Sequence, residues 1–123
     1  MRYQNNKVTD VNIAYIGGGS RGWAWTFMTD LALEPRMSGT IRLYDIDHDA
    51  AKKNEIIGNR LNERKEAVGK WDYITASSLK EALEGVDFVV ISILPGTFDE
   101  MEVDVHCPER HGIYQSVGDT AGP

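Results

Sequence analysis

Residues 13–22 read Ile-Ala-Tyr-Ile-Gly-Gly-Gly-Ser-Arg-Gly, a short apolar run that breaks into glycines and then opens a helical pattern. Few chain paths satisfy that order. An apolar strand must end in a turn too tight for side chains, and a helix must start at once. Gly17, Gly19 and Gly22 fall on the G-x-G-x-x-G spacing of a dinucleotide-binding turn. On that reading, Gly17 permits the tight turn. Gly19 lets the backbone approach a pyrophosphate, and Gly22 lets the helix pack closely on the sheet. The helix start directs N–H groups and a partial positive charge at the same place.

The flanking sequence supplies the frame. Residues 11–16 predict a central strand covered on both faces. Residues 20–34 predict a helix with Trp23, Phe27 and Leu31 on one stripe beside Ala24 and Met28, ended by Pro35. Trp23 and Trp25 are read as core or interface. A second strand at 40–44 ends in Asp45, which lies 23 residues beyond Gly22. An acidic residue at that place hydrogen-bonds the adenosine ribose and repels a 2′-phosphate, so NAD is expected over NADP. Asp47 is read as the cap of a helix over 49–67, with Ala50, Ile57 and Leu61 inward and Asn54 interrupting the stripe.

A third strand is expected at 71–75. Ser78 and Glu81 match a capping box for a short helix. Residues 87–94, Asp-Phe-Val-Val-Ile-Ser-Ile-Leu, predict a fourth strand buried on both faces. The alternation implies an α/β, Rossmann-like doubly wound parallel sheet of strand order 3-2-1-4. A dinucleotide would bind between the carboxyl ends of the first and fourth strands. The outer edge of the fourth strand is expected to lack a partner and to favour self-association. Residues 98–111 read as helical, broken by Pro108. Residues 1–10 read as a flexible lead-in, and 11–123 as one NAD-binding domain that stops in mid-loop.

The chain has 123 residues, a net charge of −6 and a pI near 5.0, which speaks against nucleic acid as a partner. No apolar run is long enough for a membrane span. Cys107 is the single cysteine, so there is no internal disulfide framework. A cytoplasmic protein with a small-molecule substrate, assembling as a homo-oligomer, is expected.

Three stretches together resemble glycoside hydrolase family 4. They are Ile16-Gly17-Gly18-Gly19-Ser20, Leu43-Tyr44-Asp45-Ile46-Asp47, and the run 112–123, Gly-Ile-Tyr-Gln-Ser-Val-Gly-Asp-Thr-Ala-Gly-Pro. The wording at Ile93-Leu94-Pro95-Gly96 and at 101–105 is most similar to the α-galacturonidase and α-galactosidase branch. The resemblance implies an NAD- and manganese-dependent glycosidase, an exception to two-carboxylate chemistry. It implies transient oxidation at carbon 3 of the sugar, polarisation of the ketone by the metal, and removal of the carbon 2 proton by a tyrosine. Elimination, water addition and return of the hydride follow.

On that resemblance, Gly17, Gly19, Ser20, Arg21 and Gly22 form the NAD phosphate loop, and Asp45 is the ribose contact. Ser92 and Ile93 pass the cofactor. Asp119 would sit near the catalytic tyrosine and raise its basicity. That tyrosine and the manganese ligands are expected outside this segment, so the chain alone is expected to be inactive. His106, Cys107 and His111 are read as incidental. Residues 94–101 carry Asp99 and Glu100 but no arginine or lysine, which speaks against a 6-phospho-sugar. Two other readings stay open: the cofactor half of an NAD-dependent hydroxy-acid or sugar dehydrogenase, and a stand-alone dinucleotide-binding module.

Overall fold

Ten residues of extended chain run through the middle of the molecule and end at the glycine turn. In the computed structural model, which describes residues 1–116, the elements are β1 (Arg2–Gln4), β2 (Lys7–Ile16), α1 (Trp23–Leu33), β3 (Met37–Tyr44), α2 (His48–Leu61), β4 (Lys70–Thr75), α3 (Leu79–Leu83), β5 (Phe88–Ile91), α4 (Phe98–His106) and a 3-10 turn (Cys107–His111). β2 pairs in parallel with β3 on one side and β5 on the other, and β3 pairs in parallel with β4. The parallel order β4-β3-β2-β5 is the expected doubly wound one.

The lead-in departs from expectation. β1 pairs antiparallel with the start of β2, on the edge of β2 that β5 uses further along. The turn between them is Asn5-Asn6, both left-handed at φ 52° and 59°. That is hairpin-turn chemistry, since asparagine tolerates positive φ. The flanking residues are polar and exposed, so no apolar alternation announced the strands.

The pleat of β2 divides the core. Val11, Ile13 and Tyr15 join Ile41, Leu43, Trp71 and Tyr73 against Ala24, Met28 and Leu31 of α1 and Ala51 of α2. Ala14 faces the other way, with Ala76 and Ala82 near α3. Arg42 secures that second layer by donating to the carbonyls of Glu81 (3.1 Å) and Glu84 at the end of α3. Only half of the expected capping box forms at its start. Ser78 accepts from the Glu81 N–H, while the Glu81 carboxylate turns to Ser77.

Both long helices are rotated from their expected faces. α1 buries Ala24, Met28, Leu31 and Ala32, and Trp23 stands 75% exposed rather than in the core. α2 buries Ala51, Asn54 and Gly58, and Ile57 is partly exposed. In α2 the cause is close approach. A Cβ on Gly58 would lie 2.5 Å from the Tyr73 ring, so only small residues fit there. α2 also ends at Leu61, short of the expected residue 67, and its polar side chains on that side bind the sheet. Asn59 donates to the Tyr73 carbonyl (2.8 Å) and accepts from the Tyr73 N–H (3.0 Å). Asn62 donates to Trp71 O, and Glu55 accepts from the Thr75 N–H. These contacts occupy the free edge of β4.

Burial pushes the Glu55 carboxyl up, but hydrogen bonds from Lys52 and Thr75 outweigh it and hold the pKa below its usual 4.5. A depressed carboxylate contributes its full stability above the unfolded pKa and loses it as pH falls through the folded one. Denaturant titrations from about pH 7 to about pH 3 should therefore show Glu55→Gln losing less stability than wild type on the acid side.

Among the described residues β5 is paired on one edge only, and it is not buried on both faces. Phe88 (52% exposed), Val89 (46%) and Ile91 (69%) lie open. An apolar, half-paired edge favours association. Val89→Lys is expected to lower the weight-average mass in light scattering at high concentration, while leaving the fold intact.

The chain separates into two compact units, Met1–Ile93 and the segment from Leu94 onward. In the second, Thr97 and Glu100 form a complete capping box for α4. Pro108 turns the helix into the 3-10 segment, which ends at Gly112 with φ 72°. Among the described residues no helix is long and apolar enough to cross a membrane.

Candidate functional site

The carboxyl ends of β2, β3 and β5 converge on the glycine turn. Gly17 leaves β2 with φ 93°. A Cβ there would sit 1.9 Å from the Ser92 carbonyl oxygen, past the end of β5. The Gly17 and Gly18 N–H groups both donate to the Tyr44 carbonyl, at 2.9 Å each, and Ser20 N–H donates to Gly17 O. A Cβ on Gly18 would lie 2.8 Å from Leu43 Cβ, and one on Gly19 would lie 2.7 Å from Ala50 Cβ. Three consecutive glycines are thus pressed onto the ends of three elements. Gly22 differs: a Cβ there would meet nothing within 4 Å. Its expected role in close helix packing is not what the structure shows.

Asp45 closes the loop from below. Its Oδ2 accepts the Gly19 N–H at 2.8 Å and its Oδ1 accepts the Asp47 N–H at 3.0 Å. An ionised carboxylate has about four acceptor positions, so about two remain for hydroxyl donors. Asp47 caps α2 through the Ala50 N–H, as expected.

α1 follows the turn without a side-chain cap, because Gly22 offers none. The other described α-helices are capped by Asp47, Ser78 and Thr97. The first-turn N–H groups of α1 have no intrahelical acceptor by geometry. The helix also carries no acidic residue in its first turn. Uncapped N–H groups and the positive helix end suit a phosphate. Arg21 is exposed at this end of the helix. Ser92 continues the β2–β5 pairing by donating its N–H to Ile16 O at 2.8 Å. The Ile93 side chain lies against Gly17. The structure therefore brings Gly17, Gly18, Gly19, Asp45, Ser92 and Ile93 together at the switch point. Asp119 lies outside the described residues.

Residues 12–123 match the sequence profile described as family 4 glycosyl hydrolase. The chain belongs to that family. An α-galacturonidase of Lachnoclostridium phytofermentans is 75% identical over all 123 residues, which are 26% of that protein. One of Bacillus subtilis is 60% identical over 113 residues, covering 92% of this chain and 24% of that one. The chain thus spans about a quarter of the length of these relatives. A Bacillus subtilis crystal structure, provisionally described as a glucosidase, superposes with a TM-score of 0.72 at 59% identity, over 94% of this chain and 26% of that one. A Thermotoga maritima 6-phospho-β-glucosidase, solved with NAD and glucose-6-phosphate, shares the fold with a TM-score of 0.64 at 23% identity, over 89% of this chain and 26% of that one.

In this family 4 chain, Asn54 and Trp25 also reach the loop, and the sequence reading did not assign them to it. Asn54, 2% exposed, donates to the carbonyls of Gly18 (2.7 Å) and Ser20 (2.9 Å) and accepts from the Trp25 indole (2.7 Å). The only trace in the sequence is an asparagine interrupting an apolar stripe. Among the described residues no group of three or more His, Cys, Asp or Glu side chains could hold a metal ion. His106 pairs with Glu109 (2.9 Å), and the Cys107 sulfur accepts from Arg110 (2.7 Å).

Proposed function

We propose that this chain is the NAD-holding portion of a glycosidase acting on α-galacturonides. The observation that carries the reading is the uncapped start of α1 beside three glycines whose Cβ positions are filled by the protein itself. The N–H groups of that helix start and the spare acceptor positions of the Asp45 carboxylate are the groups a dinucleotide would meet there. NAD, when bound, supplies a reversible hydride acceptor for carbon 3 of the sugar. This chain's residues do the holding. The first-turn N–H groups of α1 face the pyrophosphate, and the Arg21 cation adds charge there. Asp45 accepts from the ribose hydroxyls. Ser92 and Ile93 bound the nicotinamide side of the crevice. Asp119 is proposed as the anionic neighbour of the base, on its match to the family motif Gly118-Asp119-Thr120. Among the described residues no cluster fits manganese.

The relatives' name supports a galacturonide, and the lack of arginine or lysine over 94–101 speaks against a phosphosugar; a cation for the uronate carboxylate would come from outside that stretch. The test is a chimera in which this chain replaces the matching segment of the Bacillus subtilis α-galacturonidase. The chimera is expected to release galacturonate with no net accumulation of NADH. Stoichiometric NADH would identify a dehydrogenase segment instead. The 123-residue chain alone is expected to bind NAD and cleave no glycoside; cleavage by it would overturn the division of labour.

A further inference from the structure

Asn54 is the one polar residue buried among the described residues. It sits on the inner face of α2 between Ala51 and Gly58, where an apolar side chain would pack at no electrostatic cost. Its carboxamide is fully oriented. Both Gly18 O and Ser20 O can only accept, and Trp25 Nε1 can only donate, so a flipped amide would oppose all three partners.

The consequence follows from peptide planarity. In a trans peptide the C=O of one residue and the N–H of the next point in opposite directions. Drawing Gly18 O toward α2 turns the Gly19 N–H away from it, and Gly19 N–H indeed meets Asp45 Oδ2 at 2.8 Å. Drawing Ser20 O toward α2 turns the Arg21 N–H away in the same manner. Trp25 lies in the first turn of α1, so the same carboxamide joins the loop, the helix start and α2.

We propose that Asn54 is a positioning residue for the cofactor's pyrophosphate. Its carboxamide, held by Trp25, anchors the loop and sets the Ser20–Arg21 peptide plane so that the Arg21 N–H faces the bound phosphates. The proposal rests on the dinucleotide reading above and adds a residue that touches no part of the nucleotide.

The experiment compares wild type, Asn54→Ala, the near-isosteric Asn54→Asp and Trp25→Phe, each verified as folded by circular dichroism. NAD and adenosine are titrated in parallel, because adenosine keeps the ribose contact and lacks the phosphates. Amide hydrogen exchange of Arg21 is followed by NMR without ligand. Losing two hydrogen bonds to the loop should weaken NAD by about 10-fold or more in both Asn54 variants, with adenosine unchanged within about twofold. Trp25→Phe should show a smaller loss of the same pattern. Arg21 exchange should quicken in all three. At acid pH the Asn54→Asp carboxyl gains a proton and can donate again, so part of its NAD affinity relative to wild type should return. Equal losses for NAD and adenosine would mark Asn54 as merely structural and overturn the proposal. Unchanged NAD affinity in variants of an NAD-binding wild type would overturn it alone. A wild type that binds neither ligand would overturn the dinucleotide reading, and the proposal with it.

Discussion

Gly17→Ala is expected to cost about 2–5 kcal/mol of stability. The left-handed φ of 93° contributes about 1–2 kcal/mol for an L side chain. The Cβ placed 1.9 Å from the Ser92 carbonyl oxygen adds an overpacking cost of about 1–3 kcal/mol. That oxygen is backbone, held by the pairing of Ser92 N–H with Ile16 O, so relief requires moving the end of β5. Against a typical total of about 5–15 kcal/mol, such a loss is severe. Gly22→Ala supplies the control inside the same motif. Its Cβ meets nothing and its φ is −96°, so its effect should stay within about 0.5 kcal/mol. Denaturant midpoints measure both. Equal effects at the two glycines would contradict the packing described for the turn.

Asp45→Ala is expected to weaken NAD binding by about 10- to 100-fold, the range set by hydrogen bonds to a charged group. Two causes act together. On the proposed contact the ribose would lose its acceptor, and the Gly19 and Asp47 N–H groups lose theirs, which loosens the loop and the cap region of α2. Asp45→Asn keeps an oxygen acceptor but loses the charge, so it should fall between wild type and alanine for NAD. Both variants should narrow the preference for NAD over NADP, because a carboxylate is what repels a 2′-phosphate. Fluorescence titration with NADH and NADPH reads all of these. An Asp45→Ala protein that bound NADH as well as wild type would remove the ribose assignment.

The parts of this architecture that were legible in the sequence are those fixed by local chemistry. The glycine spacing, the apolar run before it and the acidic end of the next strand each constrain a few neighbouring residues. The sheet order follows from alternation and handedness. The parts that were not legible depend on distant partners. Nothing near Gly58 says that the Tyr73 ring will press on it, yet that contact rotates α2. The β-branched run in β5 has the composition of a doubly covered strand. Its composition cannot register how many neighbours the chain provides, and Phe88 and Ile91 stand exposed. The hairpin at Asn5-Asn6 was hidden because β1 is exposed throughout and offers no buried face. Asn54 was visible only as an interruption. Its meaning comes from the carbonyls of Gly18 and Ser20, more than thirty residues away.

The central claim is that the turn at residues 17–22 holds NAD. Equilibrium titration of the chain with NAD and with NADP tests it most directly. The proposed site predicts saturable binding, with NAD tighter than NADP by about 10-fold or more, since a carboxylate beside the ribose would disfavour the extra phosphate. No saturable binding, or NADP bound as tightly as NAD, would contradict it.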